Sequence, residues 1–487
     1  MSQPLLILLT IACYFLVWMG ISYLSTRGAD NSTFFNGNRK MAWPLVAVAM
    51  LGAPITGITF VSVPGMVIGK GFSYLQMCLG FIVGYFIIAL ILIPIFYKLN
   101  IVSIYGYLRE RFGITSYKTG AWLFFISKIF GISIRFLIVC SMLQLLVFDP
   151  LGISYIYCVV LSLGLVWLST IKGGVKSVIW GDVLKSLCLI STIFLCIYFI
   201  VANLGYHPDK VLDEIVSHPS SRIFYFDDPL DGKYFWKQFV AGIFIVIAMT
   251  GLDQDMMQRT LACKNSKDAS KNMILSTFLQ FIIISLLLFL GAVLLMYVES
   301  KGMEIPEKTD NLFASVAFHS EIPLIVGIMF IIGIISATLS SVASALTSMT
   351  TTMSVDILEI NKYKEEISLS KRKKIHTVIT LLMALLVIMF YYLNQDDAIS
   401  TVYTLISYTD GPILGLFLFG IITKSKINEK FIPLICLLAP VLSWSIQYSV
   451  RFYFNYETSF ELLILNAALT FAGLSLASRK KTETAYS

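Results

Sequence analysis

Small hydroxylated residues interrupt the apolar segment 322–352 of this 487-residue chain. Ser340, Ser344 and Ser348 recur every four residues and form one stripe along a helix, with Ala337 and Ser341 beside them. Such a stripe is most often a close-packing face between helices. Neutral hydroxyls, joined by carbonyls freed from a broken helix, are also the oxygen ligands that suit a hard cation such as Na⁺. The pattern therefore leaves two alternatives, a packing face or a cation site.

Two basic residues, Lys128 and Arg135, lie inside the apolar segment 119–147. Because they are seven positions apart, they face the same side of a helix. A charge within a membrane is costly unless it is paired or hydrated, so each is a candidate for function. Lys128 lies nearer the end of the segment and suits a structural ion pair. The guanidinium of Arg135 suits a carboxylate, either of a bound solute or of a neighbouring aspartate.

Aspartates supply the matching negative charges. Asp182 begins one apolar segment, Asp253 and Asp255 end another, and Asp410 lies inside a third. They are possible partners of the buried cations, but Asp182, Asp253 and Asp410 could also carry protons. A proton-coupled transporter therefore stands beside a transporter coupled to a metal cation.

The elements that must hold these residues include two segments predicted to break within the membrane. Residues 50–60 read MLGAPITGITF, and Pro54 within them removes an amide donor and clashes with the preceding turn. Residues 251–255 read GLDQD and close a strongly apolar run. Freed carbonyls are tolerated in a bilayer only where protein, water or an ion satisfies them. The breaks thus indicate an ion or solute site, the alternative being a proline kink packed by neighbouring helices.

The composition is that of an all-α integral membrane protein. Hydrophobic residues make up 57% and charged residues 13%, and the mean hydropathy is +0.81. The eight cysteines mostly lie in apolar runs without metal-type spacing. Hydropathy predicts about thirteen transmembrane helices, at 4–24, 42–66, 72–97, 119–147, 152–171, 179–203, 235–257, 273–297, 322–352, 375–394, 398–422, 431–450 and 459–477.

Basic residues concentrate on one side of these spans, in the ends and loops that include Lys185, Arg259 and 371–374. The positive-inside rule then places the N-terminus outside and the C-terminus in the cytoplasm. The second and seventh spans, which both break, run in opposite directions. This predicts a 5+5 inverted repeat within a single transporter domain over 1–487, with repeats at about 42–203 and 235–422 and peripheral helices at 4–24 and about 431–477.

Four stretches, in order along the chain, resemble the sodium:solute symporter family, whose members share the leucine-transporter fold. They are GGVKSVIWGDVLKS at 173–186, GLDQDMMQRTLACKNSKDASKN at 251–272, SATLSSVAS at 336–344 and YTDGPILGLFLFG at 408–420. The third matches the family's sodium motif, Ala-x-x-Ser-Ser. The first departs from the family signature at Gly181 and Lys185, where Thr and Gln are usual.

The resemblance implies a sodium site made by the carbonyls of Gly52, Ile55 and Ala337 and the hydroxyls of Ser340 and Ser341. Some relatives hold a second sodium with the signature aspartate, which is Asp182 here, and ninth-helix serines. One of those serines is Ser344 here, but the other position holds Ala343. Lys185, one turn from Asp182, could also neutralise it. We therefore expect one Na⁺ for each solute, with Asp182 mainly structural.

The resemblance also implies a solute pocket. In acidic-sugar transporters of the family, the solute is held by hydroxyls on helix two, an aromatic and a glutamine on helix three, and an arginine on helix four. If Arg135 is unpaired, it recruits an anion; if it pairs with Asp253, the pocket suits a polyol, a sugar or a zwitterion. The matching positions here are Thr56, Thr59, Phe72, Gln76 and Arg135, with Asp253 and Gln254 at the seventh span.

These observations predict a sodium-coupled symporter, and not an enzyme, that imports a sugar or an acidic sugar such as sialic acid. The alternatives are a proton-coupled or other-cation symporter of a carboxylate, amino acid or polyol, and, in another class, a channel or membrane sensor. Na⁺ is the expected coupling ion, with no organic cofactor. The expected partners are a small solute and the lipid bilayer, with neither nucleic acid nor an obligate protein partner. The expected location is a bacterial inner membrane.

Overall fold

The computed structural model describes residues 3–26, 30–205, 208–393, 395–454 and 461–479. Eight helices in these ranges are long and apolar enough to cross a membrane, two further spans are bent helix pairs, and three apolar helices are shorter. Together they match the thirteen predicted spans in order, which confirms the all-α membrane architecture. The helices are α1 (Gln3–Ser25), α2 (Trp43–Gly52), α3 (Gly57–Gly65), α4 (Tyr74–Lys98), α5 (Ile114–Leu143), α6 (Tyr155–Thr170), α7 (Val175–Leu204), α8 (Phe235–Gly251), α9 (Gln254–Thr260), α10 (Ser266–Ser300), α11 (Leu324–Ile357), α12 (Glu365–Tyr392), α13 (Gln395–Ile422), α14 (Ile432–Phe454) and α15 (Glu461–Ala477).

Short elements connect these helices. Two-residue strands β1 (Lys426–Ile427) and β2 (Ser478–Arg479) pair antiparallel, with Lys426 opposite Arg479. Single π-helical turns occur within α4, α8 and α11 and directly after α5, at Ile88–Leu92, Ile247–Gly251, Thr352–Ile357 and Gln144–Phe148. The remaining short helices are Asn31–Asn36, Gly37–Arg39, Val67–Lys70, Gly106–Arg111, Asp149–Leu151, Pro208–Ser217, Pro219–Ser221, Thr309–Asn311, Leu312–Ala317, Ile360–Lys362 and Glu429–Phe431.

The second span breaks between α2 and α3, which meet at 57°. The helical hydrogen bonds stop at Pro54, and the Ile55 amide instead donates to the Gly52 carbonyl over 3.0 Å. Thr56 then caps α3: its hydroxyl accepts from the Thr59 amide, and the Thr59 hydroxyl accepts from the Thr56 amide. The break predicted from the proline is therefore present, and the threonines restart the helix after it.

The seventh span breaks between α8 and α9 at 71°. Asp253 is the N-cap of α9, and its carboxylate accepts hydrogen bonds from the amides of Asp255 (2.6 Å) and Met256 (3.4 Å). The capped break turns the short α9 away from the direction of α8. The side chains of Asp255 and Arg259 are therefore buried inside the bundle.

Helix α7 lies at the centre of the packing that positions these polar residues. It packs along α11, and it also contacts α2 and α10. Helix α5 packs against α13 and α11. Apolar side chains surround this centre in two large buried clusters, so the polar groups on α5, α7, α9 and α11 face each other inside the bundle.

Candidate functional site

A buried ionic cluster links three helices at the break of the seventh span. Lys128 on α5 donates to Asp253 over 2.9 Å and to Asp255 over 2.7 Å. The Lys128 and Asp255 side chains are 13% and 5% exposed, so this pair is largely shielded from water. Lys128 was expected to form a structural ion pair, and it does so at the edge of a cavity. The predicted alternative in which Asp253 pairs with Arg135 is wrong, because Lys128 is its partner.

Arg259 extends the ionic cluster to α7. Its Nε donates to Asp182 over 2.7 Å and its Nη1 to Asp255 over 3.1 Å, and its side chain is only 1% exposed. The prediction that Arg259 belongs to a basic cytoplasmic loop is wrong, because the break turns α9 inward. A local signal was available, since Asp255 and Arg259 have the i, i+4 spacing of a helical ion pair. We refer below to Lys128, Asp182, Asp253, Asp255 and Arg259 as the ionic cluster.

The serine stripe of α11 contacts the same carboxylates. The Ser340 hydroxyl donates to Asp182, and the Ser344 hydroxyl donates to Asp255. Arg259 also contacts both aspartates, so neither carboxylate is left with only solvent or an ion as a partner. The residues predicted for a possible second sodium, Asp182 and Ser344, are thus both engaged with protein groups.

The predicted sodium ligands lie on the elements that meet at α7. A Cβ atom at Gly52 would lie 2.6 Å from the Ser186 Oγ, so the broken span approaches α7 closely at this point. On α11, the Ser341 hydroxyl donates to the Ala337 carbonyl over 2.8 Å. Lys185 of α7 contacts the same hydroxyl, with its Nζ donating over 3.3 Å. The suggestion that Lys185 neutralises Asp182 is therefore wrong, since Arg259 forms that ion pair.

Beside the ionic cluster lies a cavity of about 40 Å³, lined by α5, α8 and α13 and by the break before α9. Its polar lining combines hydroxyl, carboxylate and cationic groups with apolar side chains such as Phe124 and Ile413. Ser127 donates to Asp410 over 3.0 Å across this space. The polar lining residues are Ser127, Lys128, Arg135, Asp253 and Asp410.

Arg135 differs from the other cations of this region. Among the described residues, no acceptor lies within hydrogen-bond or ion-pair distance of its guanidinium, although it is near enough to Asp410 to interact electrostatically. The group is half-buried and faces the cavity. An unpaired guanidinium at this depth is suited to bind an anion that enters the cavity.

The other residues predicted for the solute lie elsewhere in the fold. Thr56 and Thr59 hydrogen-bond to each other at the start of α3, with their hydroxyls 3.2 Å apart. The Gln76 amide is fully buried and contacts the backbone of Lys233 and Tyr225. Gln254 is also fully buried: it accepts from the Ile104 amide and donates to the Val102 carbonyl.

Gln76 and Gln254 do not line the cavity. Backbone groups elsewhere in the fold form hydrogen bonds with both side-chain amides. Phe72 is half-buried, and its amide donates to the Arg222 carbonyl over 3.1 Å. The lining of the cavity instead comes mainly from α5, α8 and α13. Among the polar residues of this lining, the family resemblance assigned Arg135 and Asp253 to the solute but not Ser127, Lys128 or Asp410.

The chain is similar to known sodium-coupled transporters. A model of the sodium:solute symporter family matches residues 34–430. The sodium/sialic acid symporter of Aliivibrio fischeri is 24% identical over 455 residues, which cover 90% of this chain and 86% of that protein. The human sodium/iodide cotransporter is 24% identical over 417 residues, 83% of this chain, which span 63% of its own length.

A solved structure of a Na⁺-coupled sialic acid symporter, in a substrate-bound outward-open state, has the same fold. It superposes with a TM-score of 0.81 at 20% identity and covers 97% of this chain and 98% of that one. This likeness concerns the fold, that is, the overall arrangement of the helices.

Proposed function

Because the chain belongs to the sodium:solute symporter family, we propose that it imports a small organic acid, namely a sugar acid, together with Na⁺. It is an integral membrane protein, and we place it in a bacterial inner membrane with its N-terminus outside. The solute would bind in the cavity lined by α5, α8 and α13. The 1–487 chain would act as one transporter domain, with repeats at about 42–203 and 235–422.

The observation that carries this proposal is the unpaired guanidinium of Arg135. Lys128 and Arg259 are paired with aspartates, whereas Arg135 faces the cavity without such a partner among the described residues. A carboxylate in the cavity would form charge-assisted hydrogen bonds with it. The names of two relatives agree with an anionic solute, since iodide is an anion and sialic acid is an acid.

Recognition of a polyhydroxylated solute would come from the other groups that line the cavity. Asp410 and Asp253 offer carboxylate oxygens that accept from sugar hydroxyls, and Ser127 offers a hydroxyl. Phe124 provides an aromatic surface for the apolar face of a ring. The assignments of Thr56, Thr59 and Phe72 to the solute remain predictions.

Na⁺ would bind where the break of the second span meets α11. The proposed ligands are all neutral oxygens: the carbonyls of Gly52, Ile55 and Ala337 and the hydroxyls of Ser340 and Ser341. Such a site binds a hard cation without a formal counter-charge. Ion binding would thus join the broken span to α11, while the solute joins α5 to α8 and α13.

This arrangement suggests how the two substrates are coupled. A chain of contacts runs from Ser340, at the proposed ion site, through Asp182, Arg259 and Asp255 of the ionic cluster to Lys128 at the cavity. Binding of Na⁺ at Ser340, or of a solute at Lys128, would therefore alter contacts of Asp182, Arg259 and Asp255, which connect the two sites. Alternating access would then follow from movement of the helices at the two breaks, with both substrates bound.

A zwitterion such as an amino acid is a second candidate solute. Asp410 lines the same cavity as Arg135, and its side-chain hydrogen-bond partner among the described residues is the neutral hydroxyl of Ser127. A solute with both a carboxylate and an ammonium group would match these two charges. A sugar acid would instead place hydroxyl donors on Asp410.

Transport by purified protein in liposomes tests the proposal. Uptake of labelled sialic acid, short monocarboxylates, neutral sugars and amino acids would be compared in an inward Na⁺ gradient and in choline at fixed pH. Accumulation above the external concentration would exclude a channel. Uptake that is equal in Na⁺ and choline, or that follows an imposed proton gradient alone, would overturn sodium coupling.

Arg135 variants test the anion role. We expect Arg135→Gln and Arg135→Lys each to raise the KM for the acidic solute by about tenfold to a hundredfold, because the bidentate fork is lost. Arg109→Gln, an exposed arginine outside the cavity, is the matched control and should behave as wild type. Unchanged uptake of the acid by Arg135→Gln would refute the assignment.

A further inference from the structure

Lys185 is a buried cation at the proposed sodium site. It lies on α7 between Asp182, one turn before it, and Ser186, whose hydroxyl approaches Gly52 of the broken span. Its side chain is fully buried. On the opposite side, its Nζ donates to the Ser341 hydroxyl over 3.3 Å. The ammonium group therefore contacts one of the two hydroxyls proposed to bind Na⁺.

The nearby carboxylates already have other partners. Asp182 contacts Arg259 and Ser340, and Asp255 contacts Lys128, Arg259 and Ser344. Among the described residues, no carboxylate oxygen lies within ion-pair distance of the Lys185 Nζ, although Asp182 and Asp255 interact with it electrostatically. The only hydrogen-bond acceptor that the described residues offer this ammonium is the Ser341 hydroxyl.

We propose that the Lys185 ammonium is a tethered cation that competes with Na⁺ for Ser341 and so sets the apparent Na⁺ affinity. This inference rests on the sodium site given under the proposed function. A sodium ion and an ammonium group that share one oxygen ligand lie within a few ångströms of each other and repel strongly in a low-dielectric interior. Binding of Na⁺ therefore requires the flexible Lys185 side chain to move its ammonium group away from the Ser341 hydroxyl.

A purely structural role makes the opposite prediction. If Lys185 serves only to hold α7 against α11 through Ser341, its removal weakens the packing of these two helices. The protein is then less stable, and the half-maximal Na⁺ concentration is unchanged, or is higher if the sodium site is disrupted. If Lys185 competes with Na⁺, removal of its charge increases Na⁺ affinity. The direction of the shift in Na⁺ dependence distinguishes the two roles.

Na⁺-dependent thermal stability of the purified protein, without any solute, measures this directly. NaCl would replace choline chloride at constant ionic strength. We expect Lys185→Gln to lower the half-maximal Na⁺ concentration by about tenfold, because one cation no longer opposes the other. Lys185→Arg keeps the charge and should not lower it. Lys176→Gln, on the same helix, is the control for charge loss alone and should match wild type.

The result for Lys185→Gln decides the proposal. A half-maximal Na⁺ concentration that is unchanged or higher overturns it, as does a lack of Na⁺ response in both variant and wild type. A response that appears only in the variant supports it. Lys185→Met provides a second neutral variant if Lys185→Gln does not fold. Loss of the Na⁺ response in Ser340→Ala with no effect of Lys185→Gln would overturn the lysine proposal and leave the proposed sodium site standing.

Discussion

At the scale of single residues, the serines of α11 have different partners despite their regular spacing. Ser340 and Ser344 donate to carboxylates of the ionic cluster, whereas Ser341 shares its hydroxyl between Ala337 and Lys185. Ser348 donates to a carbonyl of its own helix. The stripe therefore serves both packing and polar contacts, and substitutions along it should have separable effects.

The first prediction concerns the proposed sodium hydroxyls. Ser340→Ala and Ser341→Ala each remove one ligand without adding bulk, so the Na⁺ concentration for half-maximal uptake should rise by about tenfold. Ser348→Ala, on the same stripe, should leave it unchanged because Ser348 donates to the Ala345 carbonyl of its own helix and contacts no proposed Na⁺ ligand among the described residues. The measurement is Na⁺ titration of uptake at fixed pH. Wild-type titration curves in both ligand variants would contradict the site.

The second prediction concerns Arg259. Its loss would leave Asp182 and Asp255 without their shared guanidinium in a buried position. We expect Arg259→Gln to destabilise the protein by about 3–5 kcal/mol, the typical effect of breaking a buried pair. The exposed loop change Lys264→Gln is the control and should have little effect. The double variant Arg259→Gln/Asp182→Asn should recover part of the lost stability, because one unpaired carboxylate is removed. Equal thermal unfolding temperatures for Arg259→Gln and wild type would contradict a stabilising role for Arg259.

At the scale of elements, the sequence was informative where the cause is local. Pro54 and the GLDQD segment disrupt their own helices, so both breaks could be predicted without knowing any neighbour. Partner choice is not local. Asp182 pairs with Arg259 and not with Lys185 one turn away, because α9 turns inward against α7 and α11. Gln76 similarly bonds to the backbone of Lys233, which is distant in sequence.

The third prediction tests how the broken span packs on α11. A Cβ at Gly57 would lie 2.1 Å from the Thr338 Oγ1, so Gly57→Ala should push α3 away from α11 and reduce both stability and transport. Thr338→Ala makes room for the added methyl group. We therefore expect the double variant to recover much of what Gly57→Ala loses, as measured by thermal unfolding and uptake. Equal defects in the single and double variants would count against this packing.

At the scale of the whole molecule, the orientation in the membrane remains a prediction from the basic loops. Asp228→Cys, in the exposed segment before α8, should react with an impermeant maleimide in intact cells. Lys424→Cys, in the exposed segment after α13, should react only after permeabilisation. Cys13 is exposed among the native cysteines, so Cys13→Ser provides the background. The reverse labelling pattern would invert the predicted topology.

The charges at the centre of the bundle balance without any substrate. The ionic cluster, the cavity and the proposed sodium site together contain four acidic and four basic residues, namely Asp182, Asp253, Asp255 and Asp410 with Lys128, Arg135, Lys185 and Arg259. Either Na⁺ or an anion alone would leave a net charge in a low-dielectric interior. Bound together they keep it neutral, so each favours the binding of the other.

The last prediction follows from this balance. Asp182 and Ser344 are engaged with Arg259 and Asp255, so we expect one Na⁺ for each monovalent acid and no second sodium. Transport of one Na⁺ with one monoanion moves no net charge. Uptake into liposomes should then be unaffected by an inside-negative potential set with valinomycin and K⁺, and it should depend on Na⁺ with a Hill coefficient of about one. A neutral sugar taken up by the same protein would respond to the potential and is the internal control. Stimulation of acid uptake by the potential, with a Hill coefficient near two, would show that a second Na⁺ binds despite Arg259.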